Sequence, residues 1–185
     1  MQVVPRVTVD RMREEDIPIV QAIEREIFLT PWPRNAYQRE LVQNKQASYI
    51  VLRTDDGSVA GYGGLWKVGD EAHVTTLGVR RRDHGRGYGR TLFGALITRA
   101  YSSGARWITL EVRVSNEHAI KLYEAFSFKI IGRRRGYYTD NGEDAVIMWS
   151  DSIHAPAFKR NLQRMIGDLD VPGMGDPPPM SYPDR

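Results

Sequence analysis

The run Leu77–Arg90, LGVRRRDHGRGYGR, constrains the fold more than any other stretch of this 185-residue chain. An apolar segment ends in a basic turn with three alternating glycines, Gly85, Gly87 and Gly89, and the apolar-periodic residues Leu92, Phe93, Leu96 and Ile97 follow at once. Glycine has no Cβ, so alternate glycines let the main chain come close to a ligand. Where such a turn opens a helix, several N–H groups lack an intrahelical acceptor and point at one spot, with the positive end of the helix dipole behind them. The stretch predicts a strand, an anion cradle and a helix in that order, the cradle suited to a phosphate or pyrophosphate.

The rest of the chain supplies a sheet for this unit. Ile17, Val20, Ile23, Ile27 and Phe28 fall at helical spacing within residues 13–28, and Asp16 followed by Pro18 suits the helix start. The turn Thr30-Pro31-Trp32-Pro33 leads to a second predicted helix, Asn35 to Val42. Tyr49–Arg53 and Val59–Leu65 read as strands joined by a tight turn at Asp55-Asp56-Gly57, and Ala72–Val79 as the next strand. Thr91–Ser102 reads as a helix that stops before Gly104, Arg106–Arg113 as a strand, and Asn116–Phe126 as a helix. Lys129–Gly132 is a short predicted strand, Gly136–Gly142 a turn-rich loop, and Ala145–Trp149 a further strand. Strands alternating with helices, flanked by hairpin strands, predict an α/β fold with a sheet of mixed direction.

After Asp151 the pattern changes. Phe158, Leu162, Met165, Ile166 and Leu169 predict an amphipathic helix from about 156 to 169, covering an apolar part of the domain or a second subunit. From Val171 onward VPGMGDPPPMSYPDR is too rich in proline and glycine to pack, and reads as a flexible tail. The expected organisation is one domain over residues 1–152, then the helix and tail over 153–185.

Composition removes several kinds of chemistry. With no cysteine there is no disulfide, no thiolate nucleophile and no cysteine-ligated zinc, and His73, His84 and His118 alone do not suggest a metal site. The net charge of +3 is concentrated in Arg80–Arg82 with Arg86 and Arg90, and in Arg133–Arg135. Both clusters are too narrow for a nucleic-acid face. A multiply anionic cofactor accounts for the first, and a solvated face for the second. No run of 18 apolar residues is present and the first 16 residues are too charged for a signal peptide, so the expectation is a cytoplasmic protein with no membrane partner.

The motifs TPWP from Thr30, DEAHVTTLGV from Asp70, the glycine turn, LEVRVSNEHAIKLY from Leu110, Phe126 with Phe128, and RRRGYYTDNGEDAVIM from Arg133 follow one another in order. This set resembles the GCN5-related N-acetyltransferases (GNAT), and within them the RimI-type ribosomal-protein-alanine N-acetyltransferases, from about Val7 to Met148. The resemblance implies the GNAT fold: a mixed central sheet with flanking helices and a splayed parallel strand pair, here Ala72–Val79 and Arg106–Arg113. It implies acetyl-CoA as cosubstrate in the gap, its amide arm along the backbone of Leu77, Gly78 and Val79. Its pyrophosphate would rest on the N–H groups of Gly85, Arg86, Gly87, Tyr88, Gly89 and Arg90, with Asn116 touching the pantetheine arm. His84 stands where the family has arginine or glutamine, and Ser127 where it usually has glycine.

Catalytic roles follow from the same resemblance. Neither a cysteine nor a serine in a nucleophile elbow is there to form an acyl-enzyme, so direct attack by an amine is the simpler route. Glu111 resembles the family's general base, acting through water, and Tyr123 its proton donor to the departing sulfur, beside the cofactor. A backbone N–H near Val79 would polarise the thioester oxygen. From the residues alone, Glu111 reads as an ordinary solvated or paired strand carboxylate and Tyr123 as a core aromatic. Trp32, Tyr62 and Trp66 are candidates for the acceptor groove or for core, Tyr137 and Tyr138 for substrate contact from a loop. Glu71, Glu143 and Asp144 could attract a basic peptide or be ordinary solvated charges.

The acceptor implied is the N-terminal amine, alanine expected, of a small-subunit ribosomal protein. An α-amine titrates near 7.7–8.0 and a lysine near 10.4, a gap of roughly 2.5 units or about 3.5 kcal/mol, so a single water-linked carboxylate suits the former better. A broader protein N-terminal, lysine or small-amine acetyltransferase stays open, as does a non-enzymatic acyl-CoA-binding regulatory module. The oligomeric state is open too.

Overall fold

The computed structural model describes residues 7–167. In chain order the elements are β1 (Thr8–Arg11), α1 (Ile17–Ile27), α2 (Ala36–Val42), β2 (Ala47–Arg53), β3 (Val59–Val68), β4 (Glu71–Val79), α3 (Tyr88–Ser102), β5 (Trp107–Arg113), α4 (Glu117–Ala125), β6 (Phe128–Tyr138), β7 (Glu143–Ser150) and α5 (Pro156–Ile166). The strands form one sheet ordered β1-β2-β3-β4-β5-β7-β6. Only β4 and β5 run parallel, joined by the α3 crossover; the other neighbours are antiparallel. This is the α/β GNAT fold, a mixed central sheet with flanking helices.

Both faces of the central strands are covered, which is why β2 reads as the unbroken apolar run Tyr49–Leu52. On one face Ile50 and Leu52 join Leu92, Phe93 and Leu96 of α3. On the other Tyr49 and Val51 meet Val20 and Ile23 of α1 and Tyr37 of α2. Each fully buried Leu or Phe contributes about 1.5–3 kcal/mol, so α3 is a main anchor of the fold. It also fixes where the glycine turn emerges.

Several boundaries differ from the sequence expectation. Strand β1 was not predicted, because TVDR buries only Val9 and four residues carry too little periodicity. Asp16 does not cap α1 with its side chain; its carboxylate accepts the Arg13 N–H at 2.9 Å and pairs with Arg53 at 2.7 Å. Helix α3 starts at Tyr88 rather than Thr91, because Gly87 takes the left-handed N-cap conformation, φ +80°.

The largest correction concerns Gly136–Gly142, which is not all loop. Strand β6 runs on through Tyr138, with an irregular register between Arg134 and Tyr138 and Gly136 at φ +58°. The Gly136 N–H donates to Asp144 Oδ1 at 2.8 Å, so the glycine marks a bulge in an edge strand. Its exposed arginines give no apolar alternation to read. Tyr137 and Tyr138 therefore sit on a strand, and the turn shrinks to residues 139–142.

Helix α5 packs in cis. Phe158 is buried in the main core, Leu162, Met165 and Ile166 lie against it, and Asn161 donates to Ala125 O at 2.9 Å and Ser127 Oγ at 2.8 Å. Ser127 adopts φ +67°, costly for a residue with a Cβ, and its hydroxyl accepts this hydrogen bond. A Cβ at Gly94 of α3 would meet Ile166 Cγ2 at 2.2 Å. Gly94→Val is expected to lower unfolding stability by about 1–3 kcal/mol in urea titration, with part of the loss recovered in Gly94→Val/Ile166→Ala. Leu169 and the predicted tail from Val171 lie outside the described residues.

Candidate active site

The β4–β5 ladder is short. It pairs Glu71 with Trp107, Ala72 with Ile108 and His73 with Thr109, and then stops, although the strands continue to Val79 and Arg113. The register between β3 and β4 skips Thr75, since Gly64 faces Thr76 and Leu65 faces Val74. Such a bulge bends its strand. Beyond His73 the edge of β4 that faces β5 has no strand partner among the described residues, which leaves main-chain groups open to an extended amide ligand. Gly78 has a steric reason as well: a Cβ there would fall 2.5 Å from Ile27 Cδ1 and 2.9 Å from Tyr62 Cε1.

Past the end of β4 the chain enters the glycine turn. Across residues 85–91, the first amide with a main-chain acceptor is Thr91, donating to Gly87 O at 3.1 Å, and no side chain caps α3. The preceding N–H groups are orphan donors at a helix mouth, the electrostatic requirement for a phosphate site. A His84 ring N–H donates to Val79 O at 2.7 Å and ties the turn to the strand. Buried Asp83 pairs with Arg80, and Arg86 Nε lies 3.6 Å from its other oxygen. The side chains of Arg86 and Tyr88 line a separate hollow of about 370 Å³ with Arg80, Arg82, Asp55 and Asp56. What residues 85–90 offer at the helix mouth is thus chiefly backbone.

A cleft of about 630 Å³ occupies the splay. It is lined by Val74–Leu77 of β4, Leu110–Arg113 of β5, Asn116, Tyr123, residues 137–140, and Glu24 to Trp32 around the end of α1. The fold therefore brings Leu77, Glu111, Asn116, Tyr123, Trp32, Tyr137 and Tyr138 to one cavity. Trp66 is not among its walls and gives its indole N–H to Glu40. Tyr62 is fully buried, and its hydroxyl has no hydrogen-bond partner among the described residues. Tyr62 thus takes the core place that was its other reading, and Trp66 stands outside the cleft wall, because β3 lies one strand away from the gap.

Glu111 is the cleft carboxylate on β5, its side chain 8% exposed. His73 Nε2 lies 3.0 Å from Oε2 and Arg134 3.3 Å from Oε1. The hydrogen bond from His73, helped by the charge of Arg134 and opposed by burial, holds the carboxyl below its ordinary range. Two of its four lone-pair sites are used, so the ionised group keeps acceptor capacity.

Tyr123 is buried against Phe93, ring centroids 4.7 Å apart, and its hydroxyl makes no hydrogen bond among the described residues. Burial, with Tyr138 nearby, pushes its phenol well above the ordinary value, so the proton is retained. Asn116 caps α4, its Oδ1 accepting the Ala119 N–H at 3.2 Å. That leaves the amide NH₂ as the end with capacity to donate to a ligand.

The mouth of the cleft carries contacts that the sequence did not disclose. Glu24, buried in α1, accepts the Trp32 N–H at 3.1 Å and the Tyr37 hydroxyl at 2.6 Å, and so holds the TPWP turn. Arg113 stacks on Tyr138, 3.9 Å from the ring centroid, and pairs with Asp140 and Glu143. Thr30 donates to Asp140 at 3.1 Å, bridging the α1–α2 loop and the β6–β7 turn. These links span from 8 residues for Trp32 and Glu24 to 110 for Thr30 and Asp140, and the longer ones lie beyond any spacing rule.

A strand pair that parts over an unpaired edge and a helix mouth with orphan donors suit an extended, multiply anionic ligand such as coenzyme A, beside a cleft that holds an ionised carboxylate and a protonated phenol. Residues 17–128 match the Acetyltransferase (GNAT) family, and the chain belongs to that family. It is 42% identical over 144 residues to a Bacillus subtilis (strain 168) protein provisionally named ribosomal protein bS18-alanine N-acetyltransferase, covering 78% of this chain and 95% of that one. It is 34% identical over 152 residues to N-alpha-acetyltransferase RimI of Mycobacterium tuberculosis, covering 79% and 93% respectively. The crystal structure of the ribosomal-protein-S18-alanine N-acetyltransferase of Escherichia coli aligns with a TM-score of 0.71 at 31% identity, over 78% of this chain and 93% of that one. The protein is accordingly an acetyl-CoA-dependent N-acetyltransferase.

Proposed function

We propose that this enzyme acetylates the α-amine of a protein N-terminus, with alanine first and a small-subunit ribosomal protein as the natural acceptor, in the cytoplasm. The observation that carries the reading is the ionised Glu111 carboxylate in the splayed-strand cleft, in a chain so like N-terminal acetyltransferases over nearly their whole length. The backbone of Leu77, Gly78 and Val79 would hold the amide arm of acetyl-CoA, and the amides of residues 85–90 its diphosphate. Acetyl-CoA supplies the activated acetyl group when bound.

Glu111, through a water, takes a proton from the attacking nitrogen as the N–C bond forms. Tyr123 gives its proton to the sulfur as the C–S bond breaks, and recovers one from solvent. One proton leaves nitrogen and one reaches sulfur, so the charge balances. Trp32, Tyr137 and Tyr138 form the acceptor side of the cleft, where the Thr30–Asp140 bridge limits its width.

Incubation with acetyl-CoA and three acceptors tests the assignment: an alanine-led peptide, the same peptide N-terminally blocked but with an internal lysine, and a polyamine. Tandem mass spectrometry is expected to place acetyl on the α-nitrogen of the first alone. Acetyl only on the lysine or the polyamine overturns the acceptor assignment.

A further inference from the structure

His73 is unused in this scheme, yet it occupies a particular place. It stands at the last rung of the parallel ladder, opposite Thr109, where β4 and β5 begin to part. Its ring reaches over that opening to Glu111, Nε2 to Oε2 3.0 Å. The contact therefore begins where backbone pairing ends. The ring is not part of the cleft wall, so it holds the carboxylate from outside the reaction space.

A glutamate beyond the end of a ladder has no neighbouring strand on that side to limit its rotamers, and ordering it costs side-chain entropy. The other contacts are weaker restraints. Arg134 of β6 reaches Oε1 at 3.3 Å from a long side chain that is 54% exposed. Tyr137, also on β6, interacts with the carboxylate only through its charge. Glu71 of β4 is exposed, and on β3 the register neighbour of His73 is Trp66, which is uncharged.

We propose that His73 is a positioning residue for acetyl transfer: its ring N–H fixes one oxygen of Glu111 at the apex of the splay and turns the remaining lone pairs to the cleft. This rests on Glu111 being the base. His73 itself exchanges no proton with the acceptor and forms no bond to it.

The test compares His73→Leu and His73→Gln in the wild-type and Glu111→Gln backgrounds, by steady-state kinetics with acetyl-CoA and an alanine-led peptide. A misplacement of about 1 Å can cost about 100-fold, so His73→Leu is expected to lower kcat about tenfold or more. KM for acetyl-CoA should stay within about twofold, because uniform binding is untouched. Glutamine offers an amide N–H near the place of Nε2, so His73→Gln should restore most of kcat. In the Glu111→Gln background His73→Leu should add little, since it acts through the carboxylate.

An unchanged kcat in His73→Leu overturns the inference. So does a glutamine variant as slow as the leucine one, or an equal further loss on top of Glu111→Gln. A Glu111→Gln enzyme as fast as wild type fails at the earlier step, the base assignment, and is told apart because it involves no change at His73.

Discussion

Glu111→Gln is expected to slow acetyl transfer by about 10²–10⁴-fold, the usual cost of losing a positioned general base, with acetyl-CoA affinity held within about twofold. Glutamine keeps the size of glutamate and can still accept from His73 or Arg134 through its carbonyl, so the cleft should keep its shape. What it loses is the capacity to take a proton. Calorimetric titration with acetyl-CoA and single-turnover transfer to peptide separate the two effects. Binding and turnover lost together would make Glu111 a structural residue.

The pH behaviour follows from the direction of the shift. Glu111 is held below the ordinary carboxylate range by His73 and Arg134, so it is already ionised throughout neutral pH. The acid limb of kcat/KM should then follow the acceptor amine, near 7.7–8.0 for an α-amine, and Glu111→Gln should lower the amplitude without moving that limb. The stability contributed by the depressed pKa is present above the unfolded-state value and is lost as pH falls through the lower folded-state value. Thermal melts of wild type and Glu111→Gln should accordingly converge in acid. A difference in melting temperature that widens toward low pH would contradict the pairing.

Tyr123→Phe is expected to give the second large effect, a loss of about 10²-fold or more in kcat and kcat/KM together, as for an interaction made only in the transition state. The proton belongs to a phenol raised by burial, so it is still in place at working pH. Because no group among the described residues hydrogen-bonds this hydroxyl, its removal leaves none of them unsatisfied. Unfolding stability should therefore remain within about 0.5 kcal/mol. A fast Tyr123→Phe enzyme removes the phenol from the mechanism. A slow one with a collapsed melting temperature reassigns Tyr123 to the packing around Phe93. Tyr138 makes a useful contrast, since its ring stacks on Arg113 and that contact survives Tyr138→Phe.

Much of this was legible in the residues, and for stated reasons. The glycine turn has a local cause, since Gly87 needs a positive φ and α3 must begin there, so three glycines before an apolar stripe announced the helix mouth. Motif order then led to Glu111 and Tyr123, both of which line the cleft. Tyr62 and Trp66 stayed open between groove and core because aromatics close in sequence to the site look alike whether they point into it or away. Strand β6 was cut short for the opposite reason. Its burial is too slight to leave a periodic signature, and a bulge glycine resembles a loop glycine.

By itself the chain determined its helices, most of its strands and the strand–cradle–helix unit, because each depends on spacing within about ten residues. Only the tertiary structure decided that β4 and β5 part after three rungs, that α5 folds back on Gly94, and that Thr30 bridges to Asp140. It also decided that His73 and Arg134 grip the carboxylate from outside the cleft. Those contacts join residues 23 to 110 positions apart, and their partners are chosen by sheet order and strand divergence. A pattern read along the chain contains neither.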